Sequence, residues 1–317
     1  MRAENGRCSF PRRVRHLFEA AVFFCVIGFF RVFGIDRASA IGGWIGRNLI
    51  GRTSLSRRPL QNLRIAFPEK SGSDVAAILD GMWDNLGRVL AEYAHLDSVR
   101  CHGPNSRIEI TGGEHFLAAN ASGKGMILLS AHFANWEIMP IVAREFGVDG
   151  AVVVRPPNNP MIGRWLDRLR KRNGMQEQIS KCHSVLRVCS LLRKGKTILL
   201  LADQRASEGI RVPFFGRDVF TTPAPACLAL KIGVPIVPVS NRRLAGAKFH
   251  MRIHPPILPP NSGDHERDVV LMTAAINRFI EDRVREAPAE WLWIHRRWVK
   301  EVPRARKSTF AEPAFSR

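Results

Sequence analysis

The chain lacks the cysteine spacing that would staple a small secreted domain or hold a structural zinc. Its six cysteines (Cys8, Cys25, Cys101, Cys182, Cys189 and Cys227) are scattered, with no C-x-x-C pair and no Cys/His cluster at zinc spacing. Free thiols in a reducing compartment are the simple reading, and no metal is expected. H-E-x-x-H, Walker A and G-x-G-x-x-G patterns are also missing, which removes the usual protease, NTPase and dinucleotide readings. Acidic residues are few: 28 Asp and Glu stand against 48 Lys and Arg, a formal net charge of +20. Such an excess calls for an acidic partner, either nucleic acid or an anionic membrane surface. The arginines are spread through every segment and no recognised nucleic-acid module occurs, so nucleic acid is not expected.

A long apolar run is lacking as well. Leu17 to Ile35 is interrupted by Glu19 and Arg31 and leaves only Ala20 to Phe30 uncharged, whereas a spanning helix needs ~20 apolar residues. With Glu19 and Arg31 snorkelling at the two interfaces the stretch just spans; otherwise it lies in the interface as a monotopic anchor. Arg12, Arg13 and Arg15 precede it and would stay on the cytoplasmic side. No small-x-small cleavage site follows, so the expectation is a retained membrane-anchoring helix within residues 1–40.

What is there suits a folded enzyme. The 317 residues are 45% hydrophobic, enough to bury a substantial core. From Arg47 to Arg107 the pattern is helical. Ser73-Asp74-Val75 opens a segment in which Val75, Ile78, Leu79, Met82, Leu86, Val89, Leu90 and Tyr93 recur at helical spacing and read as core. After the Gly103-Pro104-Asn105-Ser106 turn, short apolar runs read as strands at Arg107–Ile110, Met126–Ser130, Ala151–Val154, Thr197–Ala202, Pro235–Ser240 and Lys248–His254. Helical candidates alternate with them at Ile138–Phe146, Pro160–Arg172, Val185–Lys194 and Pro225–Ile232, and Arg267–Arg285 reads as a late amphipathic helix. This alternation predicts an α/β fold: a single domain over 41–300 with a mixed central sheet flanked by helices, followed by a mobile tail over 301–317.

The informative segment is Met126 to Glu137. A buried strand ends at Ser130, His132 follows at the carboxyl edge where open α/β sheets place their ligands, and Glu137 follows five residues later. Such a turn can fold Glu137 onto the imidazole, so that His132 acts as general base while Glu137 fixes its tautomer. No nucleophilic Ser or Cys stands nearby, which suggests that the attacking hydroxyl belongs to the substrate. Asp203, at another strand end, would either line the same cleft, positioning Arg168 or the acceptor, or cap the loop to Val212; Gln204 shares these alternatives. Phe214 and Phe215 read as walls of an acyl groove or as plain core. The segment Trp291 to Trp298, with Arg296 and Arg297 interleaved, suits a membrane interface, and His295 goes with it.

His132-Phe133-Ala134-Asn135-Trp136-Glu137 resembles the H-x4-D/E signature of the glycerolipid acyltransferase superfamily. With Asn135-Trp136-Glu137 it is most similar to the bacterial lipid A biosynthesis acyltransferases, the late lauroyl and myristoyl transferases. Other blocks resemble that family in order: Arg155-Pro156-Pro157-Asn158-Asn159-Pro160, Arg168-Leu169-Arg170, the Asp203-Gln204 pair, Val212-Pro213-Phe214-Phe215-Gly216 with Thr221-Thr222-Pro223, and the closing Trp291 to Trp298. The resemblance implies an O-acyltransferase at the inner membrane with its active site on the cytoplasmic side. It would move a fatty acyl group from an acyl carrier protein thioester, or acyl-CoA, onto a hydroxyl of an anionic glycolipid, a lipid A precursor, with no resident cofactor. His132 and Glu137 would be catalytic. Arg155, Arg168 and Arg170 would contact acceptor phosphates or the oxyanion, since guanidinium pairs bidentately with phosphate, and Asp203 and Gln204 would line the substrate site.

Overall fold

The computed structural model describes residues 10–175, 177–180 and 185–298; the tail expected over 301–317 lies outside these residues. Helix α1 (Phe10–Val32) leads into α2 (Ile35–Asn48), α3 (Arg57–Ala66) and α4 (Gly72–Glu92). Then β1 (Ile108–Thr111), α5 (Gly113–Ala121), β2 (Met126–Ser130), α6 (Met139–Glu145), β3 (Gly150–Val154), α7 (Pro160–Arg172), β4 (Glu177–Ser180), α8 (Val185–Arg193) and β5 (Thr197–Leu201) alternate. A hairpin of β6 (Arg205–Phe214) and β7 (Arg217–Thr221) precedes α9 (Ala224–Ile232), β8 (Ile236–Arg243), β9 (Phe249–Ile253) and α10 (His265–Glu286). Among the described residues seven strands form one sheet in the order β1-β9-β8-β2-β5-β3-β4, with β6 and β7 paired apart from it. Only the β8–β9 pairing in the large sheet is antiparallel, so the expected mixed α/β sheet is what the chain builds.

Central strand β2 is buried along its whole length. Ile127 and Leu129 enter one apolar cluster while Met126 and Leu128 enter another on the opposite face, as the two-residue period of a strand covered on both sides requires. Three strands escaped the sequence pattern. β4 is a polar edge, Glu177-Gln178-Ile179-Ser180, and the β6–β7 hairpin breaks up its apolar positions with charged and small ones. Both lack the apolar run that marks a buried strand.

The N-terminal helices pack onto the domain. Ser71 caps α4, its hydroxyl accepting from the Asp74 amide while the Asp74 carboxylate accepts from the Ser71 amide, two residues earlier than the expected cap. Val75, Ile78, Met82 and Val89 are buried as expected, but Leu90 is exposed. α2 approaches α4 so closely that a Cβ on Gly87 would stand 2.0 Å from the Gly42 carbonyl oxygen. The Gly42, Gly46 and Gly87 surfaces therefore form the contact itself.

No described helix is long and apolar enough to cross a membrane, so a spanning anchor is not observed. The two charges that interrupt the apolar stretch tie α1 to the domain rather than bracket a span. Arg31 donates to both Asp97 carboxylate oxygens at 2.7 and 2.9 Å. Glu19 and the His16 carbonyl accept from Asn159 at 3.1 and 2.8 Å, while the Asn159 side-chain oxygen caps α7. Phe23 and Trp165 pack edge to face at 5.2 Å. On its other side α1 leaves Leu17, Phe18, Val22, Phe29 and Val32 exposed.

Candidate active site

The register of the sheet assembles the site. β2 and β5 run parallel with Ser130 opposite Leu201, and the pairing persists one step further, the Ala202 amide donating to the Ser130 carbonyl at 2.9 Å. Residues two beyond Ser130 and Leu201 therefore emerge side by side at the carboxyl edge: His132 and Asp203. The His132 ring Nδ1–H donates to Asp203 at 2.9 Å to one oxygen and 3.2 Å to the other, and the His132 backbone N–H donates to Oδ2 at 3.1 Å. Trp291 Nε1–H adds a further donor to Oδ2 at 2.8 Å.

Asp203 is 1% exposed. Burial alone would push its carboxyl pKa up, but the adjacent His132 ring and the hydrogen bonds from His132 hold it well below the usual carboxylate range. An ionised, fully buried Asp203 on Nδ1 fixes the imidazole as the Nδ1–H tautomer and leaves Nε2 as the proton acceptor. That nitrogen faces Gln204, whose amide nitrogen stands 3.4 Å from it and 3.1 Å from Nε2 of His295.

The expectation that Glu137 orients the histidine is corrected here, because the carboxylate bonded to the imidazole is Asp203. Both Glu137 oxygens are engaged elsewhere, by Arg170 Nε at 3.0 Å and Nη2 at 2.5 Å and by the Tyr93 hydroxyl at 2.9 Å. Side-chain exposures of 13% and 6% make Arg170–Glu137 a buried pair. Burial works against charging Arg170, yet Glu137 overrides it and holds the guanidinium protonated. Burial, reinforced by Glu137, pushes the Tyr93 phenol well above its ordinary pKa, so it remains a donor. The physical reason for the miss is the turn after β2. Ala134 adopts φ 41°, and Asn135 accepts from the Glu137 amide at 3.1 Å, which starts the next helical turn and directs Glu137 toward α7 and Tyr93.

That turn is held by a buried polar frame. Ala134 N–H donates to the Glu290 carbonyl at 2.9 Å, and Asn85 and Asn241 donate to the Ala134 and Asn135 carbonyls at 3.2 and 2.7 Å. Asn135 donates to Glu92 at 2.8 Å, and Glu92 is paired with Arg243 at 2.5 Å, with side-chain exposures of 1% and 9%. The charge is matched and the remaining oxygens are filled, Ser39 donating at 2.6 Å, which is what makes a buried pair tolerable.

Of the other expected residues, Arg170 is not free for a ligand, since it is spent on Glu137 and on Gln178 at 3.3 Å. Arg168, two residues away on α7, is exposed, as is Arg155 at the end of β3; among the described residues neither makes a hydrogen bond or ion pair. Arg155 lies on the same carboxyl edge as His132, with β5 between β2 and β3. Asp203 neither contacts Arg168 nor caps the loop to Val212. Phe214 and Phe215 are core, packed with Phe67, Trp291, Trp293 and Trp298.

The closing segment corrects a second expectation. Trp291, Trp293 and Arg297 are 1%, 0% and 1% exposed, so these residues do not face a membrane. Asn62 of α3 donates to the Trp293 and His295 carbonyls at 2.6 and 2.7 Å, drawing the segment over the site. His295 thereby comes to 5.4 Å from the His132 ring, centroid to centroid. Burial and the neighbouring His132 lower its pKa, with Asp203 opposing, which favours a neutral ring beside His132. Trp291 and His295 were visible in the sequence only as part of an aromatic, basic block, and Tyr93 only as one more core position.

The chain matches the family model described as bacterial lipid A biosynthesis acyltransferase over residues 7–300. It is 28% identical over 250 residues to the lipid A biosynthesis lauroyltransferase of Escherichia coli strain K12, covering 75% of this chain and 77% of that protein. A lipid A biosynthesis acyltransferase of Haemophilus influenzae is 26% identical over 259 residues, 80% of this chain and 78% of its own. A phosphatidylinositol mannoside acyltransferase of Mycobacterium tuberculosis is 24% identical over 206 residues, 63% and 62% of the two chains. With that match spanning the sheet, the His132–Asp203 pair and the closing segment, the chain belongs to the bacterial lipid A biosynthesis acyltransferase family and is an O-acyltransferase.

Proposed function

We propose that this acyltransferase moves a fatty acyl group from an acyl carrier protein thioester, or from acyl-CoA, to a hydroxyl of a lipid A precursor at the cytoplasmic face of the inner membrane. The observation that carries the reading is Nδ1 of His132 bound to buried Asp203, which leaves Nε2 as a base at the sheet edge. His132 Nε2 takes the acceptor hydroxyl proton, and the alkoxide oxygen bonds to the thioester carbonyl carbon. When the tetrahedral intermediate collapses the C–S bond breaks, and the departing thiolate recovers the proton from the imidazolium, leaving an ester and a thiol. Asp203 steadies the imidazolium. The Gln204 amide, beside Nε2, offers an N–H to the developing oxyanion.

Glu137 acts one layer back, holding Arg170 and the turn that carries His132. Exposed Arg155 and Arg168 supply phosphate contacts to the acceptor. The apolar face of α1, with Leu17 and Phe18 outward, lies in the membrane interface beside the site, where a lipid acceptor resides. The same chemistry would serve a mannosylated inositol lipid, and the similarity to a phosphatidylinositol mannoside acyltransferase keeps that acceptor as the second reading.

The test compares lipid A by mass spectrometry from cells without the protein and from cells restored with wild type or His132→Ala. Loss of one secondary acyl chain without the protein, restored by wild type and not by the variant, is the expected result. Lipid A of unchanged mass in the deletion, with no second enzyme covering the step, would move the acceptor to another lipid. Fractionating the same cells carrying Leu17→Asp with Phe18→Asp tests the α1 face; full retention of that protein in the membrane fraction would rule it out.

A further inference from the structure

Among the described residues three well-buried guanidinium groups frame the site, and one of them has no carboxylate partner there. Arg170 has Glu137 and Arg243 has Glu92. Arg297, 1% exposed, is held only by neutral acceptors: Nη1 donates to the Phe220 carbonyl at 3.1 Å, and Nη2 to Thr221 Oγ1 and Asn277 Oδ1, each at 2.9 Å. Its Nε is buried with no partner among the described residues. Its Cζ lies 4.8 Å from the Phe214 ring centroid. Burying a cation without a counter-ion is costly, and an apolar side chain of similar length would fill the same space. The position therefore carries something beyond packing.

Phe214 also packs against Trp291, ring centroids 5.9 Å apart, and Trp291 Nε1–H donates to Asp203. A buried anion and a buried cation are thus joined through two packed aromatic rings, in a medium that screens poorly. We propose that Arg297 is a positioning residue for acyl transfer, the remote counter-charge that offsets Asp203 and keeps His132 an unprotonated base. Asp203 by itself favours the imidazolium, and an imidazolium in the resting enzyme cannot accept the hydroxyl proton. Burial weakens the guanidinium, lowering Arg297 to about 10, and Asp203 opposes that loss, the sign expected if the two charges act on each other.

The other groups facing His132 do not supply this offset. Gln204 and Trp136 are uncharged, His295 is held neutral, with Arg58 of α3 among the influences that lower it, and Arg170 is cancelled by Glu137. The role rests on the reading of His132 as base, so the experiment includes a readout that needs no turnover. In the full-length protein with labelled histidine, NMR follows the His132 imidazole titration, its signal assigned by His132→Ala, beside the pH profile of kcat/KM.

Arg297→Met removes the charge. Asn277→Asp keeps the guanidinium and sets a carboxylate against it, and Arg297→Lys keeps a cation without the fork. The first two should raise the His132 midpoint, and the acid limb with it, while Arg297→Lys stays near wild type. An unchanged midpoint in folded Arg297→Met, or in Asn277→Asp should the methionine variant fail to fold, overturns the proposal and leaves Arg297 a structural staple. Normal turnover by His132→Ala would instead refute the base assignment, whatever the midpoints do.

Discussion

Two buried carboxylates stand on either side of the turn after β2, and they do opposite things. Asp203 faces an imidazole, the His132 ring, at 2.9 Å, and its ionisation governs which ring nitrogen carries the proton. Glu137 faces a cation, Arg170, at 2.5 Å, and the two charges cancel. A carboxylate bonded to an imidazole polarises it; one locked in an ion pair stiffens the frame around it. The carboxylate on the imidazole comes from far away in sequence, and the one on the guanidinium lies five positions along.

Asp203→Asn is the sharpest way to break this contrast. An amide in that position can accept from Nδ1–H or donate to Nδ1, and either arrangement loses the charge that stabilises the imidazolium. A fall in kcat of about 10³- to 10⁴-fold is expected, by analogy with the loss on the same change in a serine-protease triad, with KM for the lipid acceptor little changed. Steady-state kinetics would refute the assignment if Asp203→Asn lost less activity than Glu137→Gln. The folded-state carboxyl lies below the unfolded value of about 3.9, so Asp203 stabilises the protein above that pH. The contribution disappears as the pH falls toward the lowered folded value. Asp203→Asn should therefore flatten the acid side of the stability curve.

Much of this was legible beforehand, and the limit is physical. β2 and α7 have the bounds expected from their apolar run and their Asn159-Pro160 start, and His132 stands at the strand end as its spacing implied. What spacing along the chain does not encode is strand order. The neighbour of His132 follows from β5 lying beside β2 in a particular register, a long-range fact, whereas H-x4-E is a local one. The closing segment misled for a related reason. Trp, Arg and His compose a membrane interface or a buried polar lining equally well, and Asn62, Thr221 and Asn277, which decide between them, are remote in sequence.

Glu137→Gln sharpens the comparison from the other side. It leaves Arg170 charged and buried with neutral acceptors only, so its main cost falls on stability: breaking a buried pair by removing one partner is worth about 3 to 5 kcal/mol. Activity at a temperature where the variant remains folded should fall less than in Asp203→Asn. Thermal or denaturant unfolding supplies the check, and Glu137→Gln combined with Arg170→Met should recover much of the lost stability because no charge is then stranded. If the double variant is no more stable than the single one, the pair does not behave as a self-cancelling unit.

Tyr93→Phe probes the same carboxylate with the smallest change. It deletes the 2.9 Å hydrogen bond to Glu137 and leaves the ring, which packs near Trp165 at 6.5 Å, in place. Both Glu137 oxygens keep Arg170, so no charge is stranded and the loss should be about 1.5 kcal/mol, the lower end for a bond to a charged group. A melting shift of a few degrees with kcat within about threefold of wild type is the expected outcome. A drop in kcat approaching that of Asp203→Asn would mean that Tyr93 and Glu137 reach the reacting atoms, and the division of labour between the two carboxylates would fail.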